Sequence, residues 1–379
     1  MNDREQKIYS LALEVIHQKL TIVEFSTLAS KSYRQSQRIV KAIRDEGMIG
    51  IKHGNSGRIP INKTSIDIEK DILQLLKNDY YDFNLTHFRE TIAHKEGIII
   101  GKKVVYRIAR TNGLIKRPKR RSAKNIHKPR ARMPAEGMLV QFDGSVHPWF
   151  GEIISDLIGG IDDATSEVVG AEFFIGETSL HCMQVMMDIT KSKGLPDAYY
   201  LDGAGYFGKH DRQTETQIGR ALESLGVNTI IAGSAQAKGR IERLWNTFQD
   251  RLVAELRFCQ ITNIADANKF LKEDFLPRFN EKFSVPPRES QSRYRKIEEN
   301  LELDFVFCIK NRRKISGAHT FSWEGNYYVI DEDRDYRFRT ININNHIDGS
   351  TSFDIMGRKV KVIDSPLRKN DHDKILMAA

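Results

Sequence analysis

Three acidic side chains have the setting to do chemistry together. Asp143 leaves an apolar run in Gln141-Phe142-Asp143-Gly144-Ser145. Asp202 does the same in Tyr200-Leu201-Asp202-Gly203-Ala204-Gly205. Glu242 lies in Lys238-Gly239-Arg240-Ile241-Glu242-Arg243-Leu244-Trp245-Asn246. The two aspartates end strand-like segments and are followed at once by glycine, which lets the backbone turn and a substrate approach. Ends of neighbouring strands lie about 5 Å apart, so two carboxylates there can share a hard cation. Ile241, Leu244, Trp245 and Phe248 recur at helical spacing. That leaves Glu242 at the margin of the apolar face, able to point to a sheet edge. Lys238 and Arg240 sit beside it in the first turns, where phosphates could be held.

Carboxylates in this pattern suit Mg²⁺, which takes oxygen ligands and keeps positions open for water and phosphate. Two such ions, with Mn²⁺ able to substitute, would activate an attacking oxygen and steady a leaving one in phosphoryl transfer. A single Asp at a strand end is ordinarily a turn residue. Asp162 and Asp163 also end a strand, and we read them as hairpin-turn residues. Only the combination is specific: the three acids fall in order on strand, strand and helix.

The elements that must position them read as follows. Met138–Asp143, Leu157–Asp162, Glu167–Ile175, Ala198–Asp202 and Thr229–Ala232 are strand candidates, with helices over about 178–192, 214–225 and 237–257. The order β-β-β-α-β-α-β-α predicts a mixed five-stranded sheet with helices on its faces. A further helix spans about 263–283, where Pro277 should kink it and Pro286-Pro287 should stop it. Beyond about 304, Thr320–Trp323, Tyr327–Ile330, Tyr336–Thr340 and Val360–Ile363 are short β-like runs that suggest a small β-barrel.

Upstream, residues 5–47 read as helices. Thr21 can cap a short helix with Glu24 completing a capping box, and Ala29 to Ser32 can form the turn. The next helix carries Ile39, Val40 and Ile43 on one face and Arg34, Gln35, Gln37 and Arg38 on the other. This is a helix-turn-helix pattern, and Arg and Gln can read base edges in a major groove. A second, less regular helix-turn-helix unit follows, with the basic helix that carries Lys102, Lys103 and Arg107. Residues 116–132 then crowd Arg117, Lys119, Arg120 and Arg121 among nine basic residues and no acid. Such a block stays extended until a polyanion neutralises it.

Composition agrees with this. The chain has 379 residues, 40% of them hydrophobic and 29% charged, with a formal net charge of +9. Excess Lys and Arg favours a nucleic-acid partner. No run approaches the length of a membrane span, and the N-terminus lacks a secretory pattern. We therefore expect a cytoplasmic, nucleoid-associated protein. Cys182, Cys259 and Cys308 form no C-x-x-C pair, so they read as reduced and structural.

The segment 138–287 resembles the integrase/transposase catalytic core of the retroviral-integrase superfamily, and most of all the bacterial ISNCY-type insertion-sequence transposases. The residues that carry the resemblance are Gln141 to Ser145, Gly160 to Thr165, Leu201-Asp202-Gly203, Ser234 to Trp245 and Phe275 to Asn280. The resemblance implies an RNase H-like core with Asp143, Asp202 and Glu242 as a metal-binding catalytic triad of DDE type. It also implies double-stranded DNA partners, the element's terminal inverted repeats and a target, joined within a dimeric or tetrameric synaptic complex. The gap between Asp202 and Glu242 is longer than in retroviral integrases, so an extra turn or loop is expected there. There is no His₂Cys₂ module, so the N-terminus should fold without zinc.

The expected organisation is therefore multidomain α+β. Residues 1–60 form a helix-turn-helix module and 61–115 a second one or a winged helix. Residues 116–135 form a basic linker, 136–285 the catalytic core, and 286–379 a linker with the C-terminal β domain. Two other readings compete. One is a catalytically inactive, transposase-derived DNA-binding regulator. The other is a stand-alone RNase H-like nuclease, which would need no tandem N-terminal modules.

Neutralising Arg117, Lys119, Arg120 and Arg121 together should weaken DNA binding on all sequences and flatten its salt dependence. The log–log slope should fall by about 0.9 for each phosphate that is no longer neutralised. Fluorescence anisotropy over a salt series measures this. An unchanged slope would remove the linker from the DNA interface.

Overall fold

Capping residues set the first helices. In this computed structural model, α1 spans Asp3–Ile16, α2 Ile22–Leu28 and α3 Tyr33–Glu46. The Thr21 amide donates to Glu24 Oε2 at 2.8 Å and the Glu24 amide donates to Thr21 Oγ1 at 3.3 Å, which is the expected capping box. Ser32 caps α3 by accepting from the Gln35 amide at 3.3 Å. Ala12, Phe25, Ala29, Val40 and Ile43 form the core of this bundle. Arg34, Gln35, Gln37 and Arg38 are exposed on α3. The structure describes residues 3–52, 63–115, 130–151, 153–202, 216–231 and 239–365. The chain divides into two units, Met1–Lys70 and Asp71–Ala379.

The second helical segment contains α4 (Ile66–Lys77), α5 (Leu85–Lys95) and α6 (Lys102–Thr111). Asn84 caps α5 by accepting from the Thr86 and His87 amides. On α6, Val105, Ile108 and Ala109 are buried while Lys102, Lys103 and Arg107 are exposed.

The central sheet contains β1 (Val140–Phe150), β2 (Ile153–Asp162), β3 (Val168–Phe174), β4 (Ala198–Leu201) and β5 (Asn228–Ile231), in the order β3-β2-β1-β4-β5. The first three strands are antiparallel, and β4 and β5 run parallel to β1. This is the mixed five-stranded sheet expected. One face packs on α7 (Ser179–Lys193) and α8 (Gln217–Ser224) through Phe142, Ile158, Met183, Met186, Tyr199 and Leu201. The other packs on α9 (Gly239–Phe258) through Trp149, Leu157, Phe173, Ile241, Trp245 and Phe248.

Two elements differ from expectation. First, β1 does not end at Asp143. It continues to Phe150, because its hairpin with β2 keeps pairing from Val140↔Asp162 to His147↔Ser155. Second, the helix over 263–283 is three pieces: α10 (Ile264–Phe270), a π turn over Leu271–Phe275, and α11 (Leu276–Phe283). Pro277 sits in the first turn of α11, where a missing N–H costs little. The irregularity falls in the π turn just before it.

The tail holds a short helix, α12 (Leu303–Val306), then β6 (Ile309–Lys314), β7 (Thr320–Trp323), β8 (Asn326–Ile330), β9 (Thr340–Asn345), β10 (Thr351–Ile355), β11 (Arg358–Lys359) and β12 (Val362–Asp364). The expected barrel is not closed among the described residues. The strands form a four-stranded sheet, β11-β10-β9-β6, and a three-stranded sheet, β12-β8-β7. Ile315, Phe321, Ile330, Tyr336, Ile341, Ile343 and Ile355 fill one core. The segment from Tyr336 to Arg339 is not a strand. Phe338 takes a left-handed φ of 62°, and β9 begins only at Thr340.

The second helical segment packs on the far half of α9. Tyr80 stacks on Phe258 with ring centroids 4.7 Å apart. Arg257 donates to both Asp82 oxygens at 2.7 Å, and Arg251 reaches Glu90 at 2.8 Å. At the centre, buried Glu255 meets His87 Nε2 at 2.8 Å and Arg278 at 2.6 Å. Burial alone would raise the Glu255 carboxyl. The bonds from His87 and Arg278 outweigh it and hold the carboxyl below its ordinary 4.5. A lowered carboxyl stabilises the fold above the unfolded value and loses that contribution as acid protonates it. Glu255→Gln should therefore cost roughly 1–3 kcal/mol near neutral pH and less as the pH falls below about 4. Urea denaturation across pH measures both, and parallel pH curves for the two proteins would refute it.

Candidate functional site

Alternation along β1 sorts the site. Side chains on a strand point to opposite faces in turn. Val140 and Phe142 lie in the core under α7, so Gln141, Asp143 and Ser145 take the α9 face. Two bonds fix this directly. The Ile241 amide donates to Gln141 Oε1 at 3.3 Å, and Gln249 Nε2 donates to Ser145 Oγ at 3.2 Å. Four strand residues and eight helix residues both advance about 12–13 Å, so α9 lies along β1 with Asp143 beneath the stretch between these two ties.

Asp202 belongs to the same face. Parallel strands β1 and β4 pair Val140 with Tyr199 and Gln141 with Tyr200. Carried on by two residues, the register sets Asp143 opposite Asp202. Tyr199 and Leu201 point into the α7 core, so Asp202 faces the other way, with Asp143. The described pairing stops at Gln141 and Tyr200, leaving the two half-buried aspartates just past it. Both charges act on the Cys182 thiol of α7. That thiol is pushed up by burial first, then by Glu177, Asp202 and Asp143.

Glu242 is exposed in the first turn of α9. A spacing of seven residues puts it nearly above Gln249 on the helix, hence on the margin that faces Ser145. Among the described residues, no group of three His, Cys, Asp or Glu side chains is gathered closely enough to hold a metal ion. The register directs Asp143 and Asp202 to one face just past the paired strand ends, and Glu242 lies on the helix that covers that face. The donor set is oxygen only, which fits a hard divalent cation rather than zinc.

Asp162 and Asp163 are turn residues, as read, but deeply buried ones. Asp162 accepts from the Gly137, Ala164 and Thr165 amides at 2.8–3.0 Å. Asp163 is a hub. It pairs with Arg130, accepts from the Met133 amide at 2.9 Å and from Gln141 Nε2 at 2.7 Å, and lies 3.5 Å from Arg240 Nε. Gln141 therefore bridges Asp163 to the first turn of α9, whose early amides have no partner within the helix. Arg240 sits against Asp163 and also donates to the Arg130 carbonyl at 3.3 Å.

The sequence did not mark this hub, because Gln141 and Asp163 lie 22 residues apart and neither type signals burial. It also missed Glu177. A Cβ on Gly144 would come within 2.5 Å of Glu177 Oε2, so the glycine after Asp143 leaves room for a neighbouring carboxylate. Arg117, Lys119, Arg120, Arg121 and Lys238 lie outside the described residues, as does most of the expected loop between Asp202 and Glu242. Arg34, Gln35, Gln37, Arg38, Lys102, Lys103 and Arg107 lie on exposed helix faces.

No family model matches the chain. A Sinorhizobium fredii protein named as a transposase, y4bF, is 32% identical over 345 residues, covering 88% of this chain and 74% of the relative. The transposase for insertion sequence IS1202 of Streptococcus pneumoniae is 27% identical over 367 residues, covering 86% and 78%. Among solved structures, the HTLV-2 integrase catalytic core domain in complex with magnesium is 15% identical with a TM-score of 0.29, covering 36% of this chain and 83% of that one. A simian T-cell lymphotropic virus intasome in complex with a PP2A regulatory subunit is 11% identical with a TM-score of 0.33, covering 78% and 100%.

Gln141→Leu removes the bridge while keeping a side chain of similar size. It should lower stability by about 1–3 kcal/mol and speed hydrogen exchange at the Ile241 amide more than at the Leu256 amide. Equal protection at Ile241 in both proteins would show that Gln141 does not tie α9 to β1.

Proposed function

The chain belongs to the transposases of insertion sequences, and from that premise we propose that Asp143, Asp202 and Glu242 form its catalytic, metal-holding triad. A transposase is a polynucleotidyl transferase: it cuts DNA strands at the ends of its element and joins them to target DNA. The observation that supports the triad is the shared face to which the β1–β4 register directs Asp143 and Asp202, just past the paired residues and beneath the helix of Glu242.

In the first step a water oxygen bonds to phosphorus and the bond to the 3′-oxygen breaks. The proton lost by water balances the one gained by the new 3′-hydroxyl. In the second step that hydroxyl attacks a target phosphodiester. One phosphorus–oxygen bond forms as another breaks, so no external energy source is needed. Both transition states carry more charge on the phosphoryl oxygens than water alone can steady. Mg²⁺, two ions with Mn²⁺ able to substitute, would be held by Asp143, Asp202 and Glu242, and when bound would supply that positive charge and acidify the attacking water. The protein's own task is placement. Asp143 and Asp202 follow the paired residues of β1 and β4, and the Gln141 bridge ties the start of α9 to β1.

The exposed Arg34, Gln35, Gln37 and Arg38 of α3, and Lys102, Lys103 and Arg107 of α6, are assigned to recognition of the terminal inverted repeats. Arg117, Lys119, Arg120, Arg121, Lys238 and Arg240 are assigned to phosphates. Two ends must be cut and joined together, so the working form is a dimer or tetramer. Among the described residues no helix is long and apolar enough to cross a membrane. The alternative of an inactive regulator draws no support from relatives that are both named transposases.

Asp143→Asn, Asp202→Asn and Glu242→Gln should each reduce Mg²⁺-dependent cleavage and joining of the element's ends by roughly a thousandfold or more, as loss of several kcal/mol of charge stabilisation implies. Binding to the same ends should stay within a few fold. A joining assay beside anisotropy measures both, and full strand transfer by Asp202→Asn would overturn the triad.

A further inference from the structure

Helix α9 has two margins. At about 100° per residue, Arg240, Arg243, Leu244 and Thr247 lie together, while Glu242 is about 200° from Arg240. Ile241, Trp245, Phe248 and Leu252 point into the core between them. The arginines therefore flank the opposite edge of the helix from the proposed triad.

On that edge is a shallow groove lined by Arg132, Ser166, Arg240, Arg243 and Thr247 over Phe279. No acidic residue is among its described lining residues. Arg132 hooks the turn after β2 through one terminal nitrogen, which reaches the Ala164 carbonyl at 3.3 Å and Ser166 Oγ at 2.6 Å. Arg240 is held against Asp163, yet its buried Nε has no hydrogen-bond partner. Burial disfavours its positive charge first of all, Asp163 favours it, and Arg132, Arg130 and Arg243 oppose it further. Arg130 and Arg240 thus pair with the one fully buried carboxylate, while Arg132 and Arg243 add positive charge beside Arg240 without a carboxylate partner of their own among the groove's lining residues. The surplus positive charge faces the groove, where planar N–H forks suit the oxygens of a phosphodiester.

We propose that this groove binds backbone phosphates of a DNA segment separate from the one presented to Asp143, Asp202 and Glu242. The proposal rests on the transposase reading and adds a second line of DNA contact. The helix itself, about 10 Å across, separates the two margins. One phosphate cannot serve both, so the bound DNA must pass along both flanks of α9 or arrive as two segments. Phosphate contacts carry no base identity, so the groove should hold DNA of any sequence.

The test uses the full chain, a duplex carrying the element's end, a duplex of unrelated sequence, and anisotropy over a salt series. Arg132→Gln combined with Arg243→Gln should weaken binding to both duplexes alike and flatten the log–log salt slope by about 1.8, two phosphates at about 0.9 each. Because Arg132 also holds a turn, Arg243→Gln alone is the cleaner probe; the bond Arg243 makes to the Gly239 carbonyl is local to the helix. It should flatten the slope by about 0.9, and Arg243→Lys should restore it. A slope unchanged in Arg243→Gln and in the double variant, with the wild type binding DNA normally, would overturn the groove and leave the transposase reading intact. A wild type that binds neither duplex would remove both.

Discussion

A carboxylate with no exposed surface must be neutralised where it sits, because an unpaired buried charge is far too costly. Asp163 meets that demand with Arg130 and Arg240 and with donors from Met133 and Gln141. These partners come from three different parts of the chain: the segment before the sheet, the first strand and the first turn of α9. The requirement of one buried acid thereby fixes three pieces of backbone against the β2–β3 turn. Gln141 extends the hold by accepting from the Ile241 amide, one residue from Glu242. The placement of Glu242, proposed as the third acid, thus depends on Gln141, a residue outside the proposed triad.

The period of β1 does the rest of the sorting. Val140 and Phe142 enter the core beneath α7, and Gln141, Asp143 and Ser145 face α9. A one-residue slip would exchange the faces, putting Phe142 against α9 and Asp143 in an apolar core. Large buried residues on both faces, Phe142 on one and Trp149 on the other, make that slip expensive. Asp143 and Asp202 are therefore directed to one face because apolar packing pins the register of β1 and β4.

The local parts of this arrangement are legible in the sequence because local rules govern them. The Thr21–Glu24 capping box, the five strands and the turn at Asp162 and Asp163 all follow from patterns a few residues long. The end of β1 is not legible, because Asp143-Gly144 looks like a stop. The strand continues through its pairing with β2, which is a non-local cause. The barrel expected in the tail fails similarly: aromatic runs mark strands, but nothing local says whether two sheets will close. Phe338 in a left-handed conformation breaks the predicted strand over 336–340, against its own β preference. The hub at Asp163 is invisible for the opposite reason, since its partners become neighbours only after folding.

Helix α9 is where these threads meet. Its first half carries Glu242 on one margin and Arg240 and Arg243 on the other. Its second half carries Asp250, Arg251, Glu255, Arg257 and Phe258, which bond or stack with Asn84, Glu90, His87, Asp82 and Tyr80 of the second helical segment. One helix therefore bears Glu242, the arginine-lined groove and the dock for the second helical segment. A force on α5, such as DNA drawn against it, would reach α9 through the His87–Glu255 and Glu90–Arg251 contacts and act along the axis that carries Glu242. The Gln141 bridge resists that displacement at the other end. On the proposed roles, end recognition through the second helical segment and the seating of Glu242 run through a single element, which is a reason for that segment to dock on α9 rather than elsewhere on the core.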